Sequence, residues 1–120
     1  MAHNPHLLFE QVEMQLSINP SAHIQTIALR IGVDRHTLAQ TIQAYVGVTL
    51  RDWRNANRLS KGLVLIEQSD RSFKEIAVVL GFEAFYSLSR FIKKGTGKTP
   101  GQIRRAAQLN QLSAREQNAP

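Results

Sequence analysis

The stretch IALRIGVDRHTLAQTI, residues 27–42, reads as the end of one helix, a glycine turn and the body of a second helix. Residues 76–92, IAVVLGFEAFYSLSRFI, carry the same punctuation. Ile27 and Ala28 precede Gly32 by five and four positions, as Ile76 and Ala77 precede Gly81. Leu38 and Ile42 stand four apart, as do Leu88 and Ile92. Gly47 and Thr49 follow Ile42 by five and seven, and Gly97 and Thr99 follow Ile92 at the same offsets. The one mismatch is an extra residue between Gly81 and Leu88. An internal repeat of this kind decides the fold before any single residue does.

The residue types suit a helix-turn-helix. A small residue one turn before the glycine lets two helices approach, the glycine takes positive φ at little cost, and the apolar pair seats the second helix on the first. A duplicated helical hairpin with no nucleic-acid role would satisfy the same pattern.

Outward from the repeat, prolines mark helix boundaries. Asn4-Pro5 is an N-cap followed by proline at the first helical position, and Leu7, Leu8, Val12 and Leu16 form a helical stripe up to SINPSA. Thr49 caps a long helix through about Gln68 that buries Leu50, Trp53, Leu59, Leu63 and Ile66. Gly62, inside that helix, points to a close helix crossing. Ser72 and Glu75 form a capping box, and Thr99-Pro100 opens a last helix containing Ile103. No strand pattern appears. The expected fold is all-α, about seven helices, with two helix-turn-helix subdomains joined by a long linker helix, a homeodomain-like pair. Residues 1–48 hold the N-terminal helix and first unit, 49–68 the linker, 69–107 the second unit with the last helix, and 108–120 a frayed tail.

The chain of 120 residues has no cysteine, which excludes disulfides and zinc–thiolate sites. No apolar run reaches the roughly 18 residues of a membrane span, and the start MAHNPHLLFE lacks the basic segment of a signal peptide. A soluble, cytoplasmic protein is expected, without membrane association. The net charge of +6 is uneven: residues 1–50 hold two basic and three acidic residues, and residues 51–105 hold twelve and five. Such a basic segment suggests a polyanionic partner; a solubilising surface is the plainer alternative.

Each second helix has an outward stripe. In the first unit Leu38, Thr41, Ile42 and Tyr45 are expected to face inward, with His36, Ala39, Gln40 and Gln43 opposite and Arg35 in the first turn. In the second unit Leu88, Phe91 and Ile92 face inward, and Tyr86, Ser89, Arg90 and Lys93 face outward beside Phe85. Arginine bonds guanine in a bidentate way, glutamine pairs with adenine, and small or aromatic groups touch thymine methyls. Two such helices on a stiff linker are expected to enter adjacent major-groove segments about 34 Å apart on one face of double-stranded DNA.

With RLSKGLVLI, EIAVVLGF, SLSRFIKKGTGKTP and IRR in place, the chain resembles the DNA-binding domain of the AraC/XylS family over roughly residues 5–107. Ile76, Ala77, Gly81, Phe82, Ser89, Arg90, Lys93, Gly97, Thr99, Pro100 and Arg104 stand where the family pattern has them. The resemblance implies a transcription regulator, usually an activator. RNA polymerase is a further expected partner, and a monomer or weak dimer the expected working form. It implies that helices starting near Arg35 and Ala84 read the grooves. The sequence departs at Gly62, where alanine is common, and at Ser87, where an aromatic is common. At Ala39 and Gln40 the family more often has a longer polar residue and a basic one. These two imply a weaker grip from the first unit, with most phosphate contact coming from the second.

The individual assignments keep their alternatives. Arg90 contacts a base or phosphate, or else pairs with Glu83. Lys93, Lys94 and Lys98 touch phosphates or form a solvated face. Arg104 and Arg105 sit in the first turns of the last helix, where backbone amides hold a phosphate or are simply capped. Phe85 and Tyr86 stack on thymine methyls or pack against the Gly81-Phe82 turn, and His36 is a base contact or an ordinary surface histidine. His3, His6 and His23 form no ligand set, and no catalytic constellation or phosphate-binding glycine loop stands out, so neither enzyme nor cofactor is expected. A protein-interaction module keeping this fold is the competing function. Family members often carry a separate sensor domain, so a stand-alone regulator and the reading head of a longer chain are both open.

Overall fold

The computed structural model describes residues 4–117, with side chains through Arg115. Seven helices follow in order: α1 Pro5–Ile18, α2 Ile24–Ile31, α3 Arg35–Val46, α4 Leu50–Gln68, α5 Phe73–Leu80, α6 Phe85–Thr96 and α7 Pro100–Gln117. No strand occurs among the described residues. The chain divides within α4 into two compact units, Met1–Arg58 and Leu59–Pro120. The helix expected as a separate linker therefore gives its first half to one core and its second half to the other.

Helix starts follow the local chemistry. The Asn4 side chain accepts from the amides of His6 and Leu7 at 3.0 and 3.3 Å, with Pro5 at the first helical position. Asp34 accepts from the Thr37 amide at 2.9 Å and from its hydroxyl at 2.7 Å. Thr49 accepts from the Asp52 amide at 3.1 Å. At Ser72 half of the expected box is present. The hydroxyl accepts from the Glu75 amide at 3.1 Å, but the return contact runs from hydroxyl to carboxylate. The complete reciprocal box lies at Thr99. There the amide donates to Gln102 Oε1 at 2.9 Å while the hydroxyl accepts from the Gln102 amide at 3.2 Å.

The repeat is visible as geometry. Gly32 and Gly81 end α2 and α5 at φ +88° and +86°, a region that costs a side-chain-bearing residue about 1–2 kcal/mol. The residue after each glycine donates back to the same alanine: Val33 to the Ala28 carbonyl at 3.1 Å, Phe82 to the Ala77 carbonyl at 2.8 Å. The extra residue of the second copy lies in the turn, which spans residues 32–34 in one unit and 81–84 in the other. The second turn has no capping side chain, since Ala84 takes the place of Asp34 before its helix.

Each unit has its own core, built from the repeated positions. Ile27, Leu38 and Ile42 are 0% exposed, as are Ile76, Leu88 and Ile92. The first core adds Leu8, Val12 and Leu16 from α1 and Leu50 from α4. The second adds Leu80, Ile66 from α4 and Ile103 from α7. At about 1.5–3 kcal/mol for each fully buried aliphatic side chain, these residues hold the helices together more than any surface contact does. Gly62 sits where a Cβ would lie 3.1 Å from Leu80 and 3.4 Å from Ile92, so the expected close crossing is real.

Some expectations fail for tertiary reasons. Leu7 is 53% exposed, because the buried stripe of α1 needs only positions 8, 12 and 16. Trp53, Leu59 and Leu63 are half-buried. Tyr45 lies at the surface, with its ring 5.1 Å from Phe9 and its hydroxyl 2.7 Å from His6 Nδ1. The expected frayed tail from residue 108 is helical to Gln117, since nothing between Gly101 and that point breaks a helix, although the side chains of residues 108–115 are exposed. Residues 118–120 lie outside the described part.

Candidate nucleic-acid interface

The same core contacts that bury Leu38 and Ile42 turn the other side of α3 outward. Asp34, whose carboxylate is held below its usual range by the Thr37 hydroxyl and amide, fixes the helix start. Arg35, His36, Gln40 and Gln43 are exposed. Ala39 is half-buried and packs against the first core, so it offers a base edge little more than one side of a methyl group. Of the expected stripe, the structure keeps the polar members outward and draws the alanine partly in.

On α6, Leu88 and Ile92 are buried and Phe91 packs 5.2 Å from Phe82, which turns the opposite face out. Tyr86 is 68% exposed and Arg90 lies with its guanidinium 5.6 Å from the centre of that ring. The expected alternative, an ion pair with Glu83, does not occur. Stacking on Tyr86 limits the rotamers of Arg90 and leaves its fork free to meet an acceptor. Ser89 is half-buried, while Lys93, Lys94 and Lys98 are exposed, with Lys93 and Lys94 in the last turn of α6. Phe85 stacks on Phe73 at 5.9 Å with the rings 17° from parallel, so its packing partner is the start of α5 and not the glycine turn.

Arg104 is engaged inside the second unit. Its Nε donates to the Ile66 carbonyl at 3.0 Å and its Nη2 to the Ser69 carbonyl at 3.2 Å. Its guanidinium also lies 4.4 Å from the centre of the Phe73 ring. The side chain closes the open carbonyl end of α4 and does not join the outer face of α6. Its partners stand 35 and 38 residues away in sequence, beyond the reach of any local pattern.

Three basic residues missing from the sequence-based set stand next to α3. Arg51, Arg54 and Arg58, on the first half of α4, line a cleft with Arg35, Ala39 and Gln43. Their spacing of three and four was a readable sign of a shared helix face.

Among the described residues no group of three or more His, Asp or Glu side chains is placed to hold a metal. His6 is engaged by Tyr45 and by Glu10 at 3.0 Å, and His3 lies outside the described residues. No described helix is long and apolar enough to cross a membrane.

Comparison with known proteins agrees with this geometry. A family model described as a helix-turn-helix domain matches residues 27–106, from within α2 to within α7. The chain is 28% identical over 97 residues to the probable transcription factor PqrA of Proteus vulgaris, covering 81% of this chain and 80% of that one. It is 23% identical over 120 residues to YfiF of Bacillus subtilis, an uncharacterised helix-turn-helix-type transcriptional regulator, but spans only 38% of that protein's length. The crystal structure of the DNA-binding domain of AdpA in complex with a target DNA superposes with a TM-score of 0.75 at 25% identity, covering 90% of this chain and 96% of that one. Two helix-turn-helix units, with a family model matching residues 27–106, place this chain in the AraC-type helix-turn-helix family of DNA-binding transcription regulators.

Proposed function

We propose that the chain recognises a specific duplex sequence by seating α3 in one major-groove segment and α6 in the next. The observation that carries this reading is the doubled hairpin: identical core positions at 0% exposure hold each second helix so that a polar stripe faces out. AdpA, solved with its target DNA, supports the same use of this fold. Gln40 and Gln43 on α3, and Arg90 with Tyr86 on α6, supply base-reading groups; Lys93, Lys94 and Lys98 supply phosphate contacts. Arg35 and His36 flank the first stripe, and Ser89 and Phe85 the second. The protein acts by binding and not by catalysis, as a monomer or weak dimer in the cytoplasm, and activates transcription beside RNA polymerase.

Selection from random duplexes tests the reading. Enrichment of one motif with two elements about ten base pairs apart is the expected result. Absence of any enriched motif, with a stable protein complex captured instead, would replace it by a protein-interaction role.

A further inference from the structure

The cleft beside α3 has a volume of about 620 Å³ and is walled by α3 and the first half of α4. Four arginines line it: Arg35 from the first turn of α3, and Arg51, Arg54 and Arg58 from α4. No carboxylate is among the lining residues, and Asn55 and Gln43 add neutral amide donors.

The arrangement gathers like charge at the mouth of one cleft. Arg54 and Arg58 are both half-buried, and burial pulls both pKa values below the ordinary arginine range; the Arg58 charge adds to the effect on Arg54. Arg54 donates from Nη2 to the Ala22 carbonyl, while its Nε is buried with no hydrogen-bond partner. Guanidinium groups stay protonated at any ordinary pH, so the repulsion is not relieved by losing a proton. A bound anion offsets it, and the guanidinium fork matches phosphate oxygens two at a time.

Position says which phosphate. Arg35, Ala39 and Gln43 lie at successive turns of α3, so the cleft opens along the side of the helix that carries the reading stripe. A helix in the major groove, about 12 Å wide, is flanked by the two sugar–phosphate strands. Groups beside the reading helix on its own unit meet a strand and not a base.

We propose that the arginine cleft between α3 and α4 clamps a backbone phosphate of the DNA strand running alongside α3. This rests on the proposed DNA reading and revises one of its parts: the first unit has a phosphate grip of its own, despite the short side chain of Ala39 and the neutral one of Gln40. A free phosphate-bearing molecule presents the same oxygens, and the test separates the two sources.

Arg51 is exposed, so Arg51→Gln leaves the core untouched; Arg58→Gln is the second variant. Dissociation constants of full-chain protein are measured over a series of salt concentrations on a selected and on an unrelated duplex. Each variant is expected to lower the magnitude of the log–log salt slope by about 0.9, the loss of one neutralised phosphate, and to weaken both duplexes alike. Arg51→Lys is expected to keep the slope. Unchanged slopes and affinities in both glutamine variants, with wild-type circular dichroism, would overturn the proposal. In a second arm, pyrophosphate is titrated into the free protein while the Arg54 Nε–H resonance is followed. A saturating shift together with unchanged DNA slopes would overturn the DNA source and assign the cleft to a free phosphate ligand. Wild-type protein that binds no duplex at all would refute the proposed function itself, an outcome distinct from a slope that does not move.

Discussion

Replacing Arg104 with alanine is expected to destabilise the second unit while leaving the reading face of α6 intact. The side chain makes two good hydrogen bonds to carbonyls at the end of α4, at 3.0 and 3.2 Å, and a contact to the Leu65 carbonyl at 3.5 Å. The last is too long to count for much, and that carbonyl keeps the Ser69 hydroxyl at 2.6 Å. Hydrogen bonds to a charged group contribute about 1.5–3 kcal/mol each, and the stacking on Phe73 about 0.5–1 kcal/mol. Arg104 is only half-buried, so water reaches the freed carbonyls and returns much of that; a net loss of about 2 kcal/mol is expected. In a domain of this size the melting temperature should fall by about 8–16 °C. Arg104→Lys keeps the charge near the negative end of the α4 dipole but not the planar fork, and should recover about half of the loss. The assay is thermal unfolding followed by circular dichroism, with duplex affinity measured well below the transition. An unchanged melting temperature, combined with weaker DNA binding and a shallower salt slope, would refute the capping role and return Arg104 to the phosphate contacts.

Leu88→Ala, at a fully buried position, should cost about 2–5 kcal/mol in urea denaturation, whereas Val78→Ala, 67% exposed, should stay within about 0.5 kcal/mol of wild type. Asp34 has its pKa lowered in the folded chain, so its cap contributes fully above the ordinary aspartate value of 3.8 and is lost as pH falls through the lower folded value. Melting temperatures of wild type and Asp34→Asn should therefore converge on acidification, and a constant gap down to strongly acid pH would contradict the assignment. Arg90→Ala should cost about 1–3 kcal/mol in specific binding and relax preference at one base pair; equal losses on every sequence would make it a phosphate contact instead.

What the sequence alone could show depended on how far apart the partners lie. Gly32 and Gly81 were readable because positive φ is a local demand, and Ile-Ala before each glycine is a local packing pattern. The core pairs Leu38/Ile42 and Leu88/Ile92 followed from helical spacing for the same reason. Phe85 was not readable: whether it faces DNA or folds back depends on Phe73, twelve residues earlier and on another helix. Arg104 was readable only as a residue at the start of the last helix, beside a phosphate or a cap, and the tertiary path of α4 brings its carbonyls within reach. The arginines at 51, 54 and 58 were readable as a face, but the face they share with α3 depends on how α4 folds back on that helix. Ala39 shows the reverse error, since a residue on the outer stripe by spacing is half-covered by the core beneath it.

Guanine N7 methylation interference on the selected duplex addresses the paired reading heads most directly. Two clusters of interfering guanines are expected, about ten base pairs apart, with Gln40→Ala weakening one and Arg90→Ala the other. A single cluster, weakened by Arg90→Ala and indifferent to every change on α3, would contradict it.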